Sequence, residues 1–296
     1  MTVRNDVTVY EDLFYTKDGI HLRYRSWLPR EPRTIVIFVH GAGEHIEKYV
    51  HIGEHLSREG HACTVYDLRG FGKSGGRRGH VSCFDEYLRD LEQLIDFFKR
   101  HLGRMPIFLA GHSLGGLIVT RYVQHKSKQV NGIILSAPAL GFNLKIPSLA
   151  VRMVRFASYV APSLSVNHRR LTNKIQEIPY FKHLFPEKVD PVLKDPLMCP
   201  VYSIRWVEEL LKHAQKAVQH AADIVIPVLC LHGDEDPLIS LDVVRAFFDN
   251  LAVQEKHWVL IRGAQHVLFH SEQLAAVDAV IHWLNKSVHR GASPSL

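Results

Sequence analysis

The six residues Gly111-His112-Ser113-Leu114-Gly115-Gly116 restrict the fold of this chain more than any other segment. They contain G-x-S-x-G and follow the apolar run Ile107-Phe108-Leu109-Ala110, which reads as a strand. The next apolar run, Leu117 to Val123, reads as a helix. Strand, tight turn and helix is the setting in which this motif strains the serine backbone and lifts its hydroxyl clear of a sheet. Glycine is needed at 111 and 115 because side chains there would collide across the turn. A glycine-rich junction that merely holds a serine is the alternative, and the rest of the chain weighs against it.

A serine hydroxyl is a weak nucleophile until a histidine takes its proton and a carboxylate orients that histidine. On a sheet carrying such a turn the chain order is serine, then acid, then histidine. The acid candidates follow the buried-strand pattern Ile226 to Leu231, in the turn His232-Gly233-Asp234-Glu235-Asp236-Pro237. Asp236 is favoured over Asp234 and Glu235: three residues beyond Gly233 it clears the strand end, and Pro237 stiffens the loop behind it. The histidine candidates follow the strand His257 to Ile261, in Arg262-Gly263-Ala264-Gln265-His266. His266 is preferred to His270, which falls where a helix should already have begun, while His232 and His257 sit at strand ends and read as structural. Both candidate groups lie just past the C-terminal ends of their strands, where an open parallel sheet presents its ligands.

An oxyanion intermediate needs two backbone N–H groups, one from the residue after the nucleophile and one from a loop after an earlier strand. Leu114 is the candidate for the first. The second is expected from Ala42, where the apolar strand Ile35 to Val39 enters the small-residue loop His40-Gly41-Ala42-Gly43.

Five segments taken together, His40-Gly41-Ala42-Gly43-Glu44-His45, Asp67 to Ser74, Gly111 to Gly116, Gly233 to Asp236 and Gly263 to His266, resemble the monoacylglycerol lipase and lysophospholipase family of α/β-hydrolases (serine aminopeptidase S33-type). The likeness runs from about residue 10 to residue 286, in the same order. It implies Ser113 as nucleophile, Asp236 and His266 as its partners, and the amides of Ala42 and Leu114 as oxyanion donors. Leu114 stands where methionine is common, which matters little if only its amide acts.

A chain of 296 residues with 46% apolar content can bury one large α/β domain with an insertion. The first residues precede no apolar stretch, so no signal peptide is expected, and no run approaches the ~20 apolar residues of a membrane span. Cys63, Cys83, Cys199 and Cys230 are scattered and read as free thiols of a reducing compartment, hence a cytoplasmic expectation. The net charge of +6 is spread without a nucleic-acid recognition fold, so no nucleic-acid partner is expected. It suits transient attraction to anionic membrane surfaces better. His51 and His55 lie four apart without a third ligand, so no metal is expected. Gly72-Lys73-Ser74 ends like a phosphate-binding loop, but the required first glycine is Asp67.

Val7 to Pro29 alternates around Lys17-Asp18-Gly19 as a hairpin, and strands then alternate with helices. The rhythm predicts a mostly parallel sheet covered on both faces, an α/β fold. From Ala139 to Ala222 no strand is expected. The division is a core of 1–138 and 223–296 and, as the resemblance implies, a helical cap at 139–222. Within the insert, Leu149 to Val160 is an apolar helix broken only by Arg152 and Arg155. Packing against the core and lining an acyl channel are its two readings, with Leu149, Met153 and Phe156 as candidate substrate contacts. The resemblance implies a serine carboxyl-ester hydrolase acting on single-acyl-chain lipids, most of all monoacylglycerol, without a cofactor. Lysophospholipase, broad small-ester hydrolase, aminopeptidase of the same fold and non-hydrolytic ligand binder are the alternatives.

Overall fold

The computed structural model describes residues 7–103, 105–143, 148–167, 195–269 and 274–291. Its first two strands, β1 (Val7–Tyr15) and β2 (His21–Pro29), pair antiparallel with Val7 opposite Pro29. Gly19 makes the turn at a φ of 82°, a left-handed backbone that glycine adopts without strain. Six further strands join them: β3 (Thr34–Val39), β4 (His61–Tyr66), β5 (Ile107–His112), β6 (Gly132–Ser136), β9 (Val228–Gly233) and β10 (Lys256–Ile261). The sheet order is β1-β2-β4-β3-β5-β6-β9-β10, parallel from β4 onward.

Every residue of β3, β4, β5, β6 and β9 is buried, as continuous apolar runs must be when helices cover both faces. Side chains alternate between two layers of core. Ile35, Ile37 and Val39 face one, with Leu94, Leu117 and Val119; Val36 and Phe38 face the other, with Ile52, Ile134 and Trp283. The covering helices are α1 (Val50–Arg58), α2 (Asp85–Leu102), α3 (Leu114–Lys126), α6 (Leu241–Asp249) and α7 (Leu274–Gly291). Helix α3 is buried from Leu114 through Val123, which is why its sequence is apolar on all sides.

After β3 the chain moves to β4 on one side and returns as β5 on the other, so the C-terminal ends of β3 and β5 open on a topological switch point. The loop after β4 is organised by Asp67, whose carboxylate accepts the N–H groups of Ile46 and Lys73 at 2.8 Å each. Gly72 packs onto that carboxylate, and Arg69 pairs with Asp90, Asp18 and Glu86. This loop is therefore full of its own side chains where a phosphate cradle would need open amides.

Between β6 and β9 lie α4 (Ser148–Val160), β7 (Ser165–Asn167), β8 (Val201–Ser203) and α5 (Ile204–Gln219). The antiparallel pair β7–β8 departs from the strandless insert that the sequence suggested. Three-residue strands carry too little periodicity to read, and their partners are more than thirty residues apart. Residues 168–194, with Arg169-Arg170, lie outside the described residues. Among the described residues no helix is long and apolar enough to cross a membrane.

Candidate active site

Ser113 is the hinge between β5 and α3, at φ 51° and ψ −112°, a region that side chains rarely enter. Its carbonyl accepts the amides of Leu117 at 3.1 Å and Ala139 at 3.0 Å, and its own amide donates to Ser136 at 2.9 Å. The turn has no room for other residues. A Cβ on Gly111 would lie 2.4 Å from the Gly115 carbonyl, and one on Gly115 would lie 2.0 Å from the Val39 oxygen. The serine is thus held from three sides by backbone, with α3 starting at the next residue. Leu114, as the first residue of that helix, has an N–H with no intrahelical acceptor.

The loops after β9 and β10 are pressed together. A Cβ on Gly233 would meet the carbonyl oxygens of Ala264 at 2.2 Å and Gln265 at 2.6 Å. The Glu235 amide donates to the Ala264 carbonyl at 3.0 Å. Across this junction His266 Nδ1 donates to Asp236 Oδ2 at 2.8 Å. Asp236 Oδ1 accepts the amides of Leu238 at 2.8 Å and Ile239 at 3.0 Å. Burial pushes this carboxyl up, but the His266 hydrogen bond and charge and the two amides outweigh it, so its pKa lies below the ordinary value. With Nδ1 committed to Asp236, the Nε2 of His266 is the nitrogen available to take a proton.

The neighbouring acids have other work. Asp234 accepts the Gly263 amide at 2.7 Å, tying the two loops together, and Glu235 is exposed. His232 is fully buried with Nδ1 donating to the Gly233 carbonyl at 2.8 Å, and its Nε2 stands 3.9 Å from Asp236 Oδ2. His257 is at the start of β10, and His270 lies outside the described residues.

The loop after β3 faces the serine turn. His112, next to Ser113, has its ring 4.8 Å from that of His266, centroid to centroid, and its Nδ1 is 3.2 Å from Ser136 Oγ. A Cβ on Gly41 would lie 3.1 Å from the His112 ring. Ala42 therefore belongs to the same small region as Ser113 and Leu114. Burial lowers the His112 pKa to about 4, against the pull of Glu44, so this ring is neutral near pH 7. Glu44, Tyr49 and His112 received no role from the sequence. The available signal was position: a carboxylate three residues past Gly41 can reach back to its amide.

Leu149, Met153 and Phe156 are 67%, 64% and 73% exposed, on the side of α4 turned away from α5. The inward face carries Val151, Val154, Ala157 and buried Ser158, packed on α5. The sequence could not show this, because an apolar helix interrupted only by two arginines has no marked inner side.

The family model described as serine aminopeptidase, S33 (Hydrolase_4) matches residues 30–273. The chain is 28% identical over 280 residues to a monoacylglycerol lipase of Mycolicibacterium smegmatis, covering 93% of this chain and 96% of that one. It is 28% identical over 253 residues to phospholipase YtpA of Bacillus subtilis, covering 84% and 93%. The crystal structure of Paleococcus ferrophilus monoacylglycerol lipase matches with a TM-score of 0.73 at 28% identity, covering 95% of this chain and 99% of that one. Strained serine turn, acid–histidine pair and facing loop are thus set in an α/β-hydrolase fold, and the chain belongs to the serine aminopeptidase S33 (Hydrolase_4) family of hydrolases.

Proposed function

We propose that this enzyme is a serine carboxyl-ester hydrolase cleaving single-acyl-chain lipids, monoacylglycerol foremost, to fatty acid and glycerol. The 2.8 Å bond from His266 Nδ1 to Asp236 carries the reading, because it orients the imidazole beside the serine turn and commits Nδ1 to the acid. Ser113 Oγ attacks the ester carbonyl carbon while its proton passes to His266 Nε2. The oxygen that becomes negative is received by the amides of Ala42 and Leu114. Collapse breaks the ester C–O bond, and His266 returns the proton to the departing glycerol oxygen. Water then attacks the acyl-enzyme with His266 as base, releasing the fatty acid and Ser113. Asp236 stabilises the imidazolium throughout and keeps its own proton count. No step calls for a cofactor.

The relatives named above support a lipid ester, and their two activities make lysophospholipid the second substrate to test. Residues 1–138 and 223–296 serve as the catalytic core, with 139–222 as a cap. The outward apolar side chains of α4, joined by exposed Arg152 and Arg155, suit transient contact with an anionic lipid surface from which substrate is drawn.

A hydrolysis panel of monoacylglycerols, lysophospholipids, short p-nitrophenyl esters and aminoacyl amides tests the substrate. Long-chain monoacylglycerol should give the highest kcat/KM, since each added buried methylene is worth about 0.8 kcal/mol. Acetyl esters outpacing every longer chain below micellar concentrations would make it a small-ester hydrolase, and preference for aminoacyl amides would make it a peptidase. Ser113→Ala should lower ester turnover by about four orders of magnitude with the fold intact. Failure of a fluorophosphonate to label Ser113 would leave a ligand-binding protein.

A further inference from the structure

We propose that Glu44, with Tyr49, is a positioning residue that sets the direction of the Ala42 amide. The inference rests on the assignment of that amide to the oxyanion. Glycine at position 41 leaves the backbone free to turn, and its two flanking peptide planes must be fixed for the next amide to point one way. Glu44 engages both. Its side-chain Oε2 accepts the Gly41 amide at 2.7 Å, and its own amide donates to the Gly41 carbonyl at 3.3 Å. His40 Nδ1 donates to the same carbonyl at 2.7 Å. In a planar trans peptide the carbonyl and the following N–H point in opposite directions. Holding the Gly41 carbonyl toward His40 and Glu44 therefore turns the Ala42 N–H away from them. That amide has no acceptor among the described residues.

The carboxylate is itself held. Tyr49, 1% exposed and packed on Phe38 with ring centroids 4.5 Å apart, donates its hydroxyl to the same Oε2. A Cβ on Gly41 would stand 2.6 Å from that oxygen, so only glycine lets the carboxylate approach. Two donors on one oxygen are best served by a charged acceptor. Burial raises the Glu44 pKa, but the hydrogen bonds from the Tyr49 hydroxyl and the Gly41 amide help to hold it below the ordinary value. From outside, the Cys199 amide donates to the Gly43 carbonyl at 2.9 Å, and His45 pairs with Asp195 at 2.8 Å, so the loop cannot relax away from the bracket.

The full-length chain is assayed as Glu44→Ala, Glu44→Gln and Tyr49→Phe on acetyl and long-chain p-nitrophenyl esters. Glu44→Ala should lose about 10²- to 10³-fold in kcat on both esters with KM within about twofold, the scale of one lost oxyanion donor. Glu44→Gln keeps an acceptor oxygen and should recover to within about tenfold of the parent, with Tyr49→Phe between the two. Fluorophosphonate labelling of Ser113 should slow in parallel with kcat. If Glu44→Ala fails to fold, the Gln and Phe variants carry the test through the same kcat-against-KM split. Parent-like kcat in Glu44→Ala overturns the proposal, as does a loss confined to KM or a Gln variant no better than the Ala one. Ala42→Pro, which removes the amide, separates the premises. An active Ala42→Pro enzyme rejects the oxyanion assignment, whereas an inactive one beside an unimpaired Glu44→Ala rejects the positioning role alone.

Discussion

Asp236 has a side chain only 1% exposed, yet three N–H groups converge on it. An ionised carboxylate is stable there because those donors replace water, and in the proposed mechanism its charge favours a protonated His266 in the transition state. Asp234 accepts one backbone amide and, among the described residues, pairs with no imidazole. Asp236→Asn should therefore cut kcat about 10⁴-fold, since an amide nitrogen facing Nδ1 favours the wrong tautomer. Asp234→Asn, which keeps an acceptor for Gly263, should stay within about tenfold. Steady-state kinetics on one ester compares them, and a more damaging Asp234→Asn would move the acid to that position. The same contacts explain why three adjacent acids are not equivalent: only the position after Glu235 is buried against the histidine loop.

Among the elements, the paired loops after β9 and β10 act as one part. Gly233 permits it, because any side chain there would drive into two backbone carbonyls. Gly233→Ala should cost about 1–3 kcal/mol of stability and lower kcat with it, as the loops carrying Asp236 and His266 are pushed apart. A variant with unchanged melting temperature and turnover would show that the junction yields freely. Helix α4 behaves in the opposite way. Its inner face is packed on α5, while Leu149, Met153 and Phe156 face outward with Arg152 and Arg155. Arg152→Glu with Arg155→Glu should weaken sedimentation with anionic vesicles by about thirtyfold, at about 1 kcal/mol per basic residue removed, and leave soluble short-ester turnover nearly unchanged. Equal vesicle binding by parent and variant would remove lipid contact from the account of this helix.

For the molecule as a whole, the buried histidines set its acid tolerance. Burial lowers His61, His112 and His213 from the ordinary 6.5 to about 4, with Arg33 helping at His61 and carboxylates opposing it at His112 and His213. The folded chain then binds fewer protons than the unfolded chain between those values. Stability is fully present above about pH 6.5 and falls as the pH drops toward about 4, by about 2 kcal/mol per histidine near pH 5. Melting temperature measured against pH should drop steeply in that window, and a flat profile from pH 7 down to about 4.5 would contradict these shifts.

The parallel sheet was legible in the chain because strands covered on both faces must be continuously apolar, and β3, β4, β5, β6 and β9 are. The serine turn was legible because Gly111 answers a local steric demand, visible in its 2.4 Å approach to the Gly115 carbonyl across the turn. Local order along the backbone is written locally. The β7–β8 pair and the His112 ring beside His266 were not legible, since each joins groups whose meeting depends on how distant segments are folded together, whereas the reach of Glu44 back to Gly41 is local and only its spacing hinted at it. The outward aim of Leu149, Met153 and Phe156 belongs with them. An apolar helix states that it has a face to bury, and only the tertiary structure decides which side meets protein and which is left for another surface.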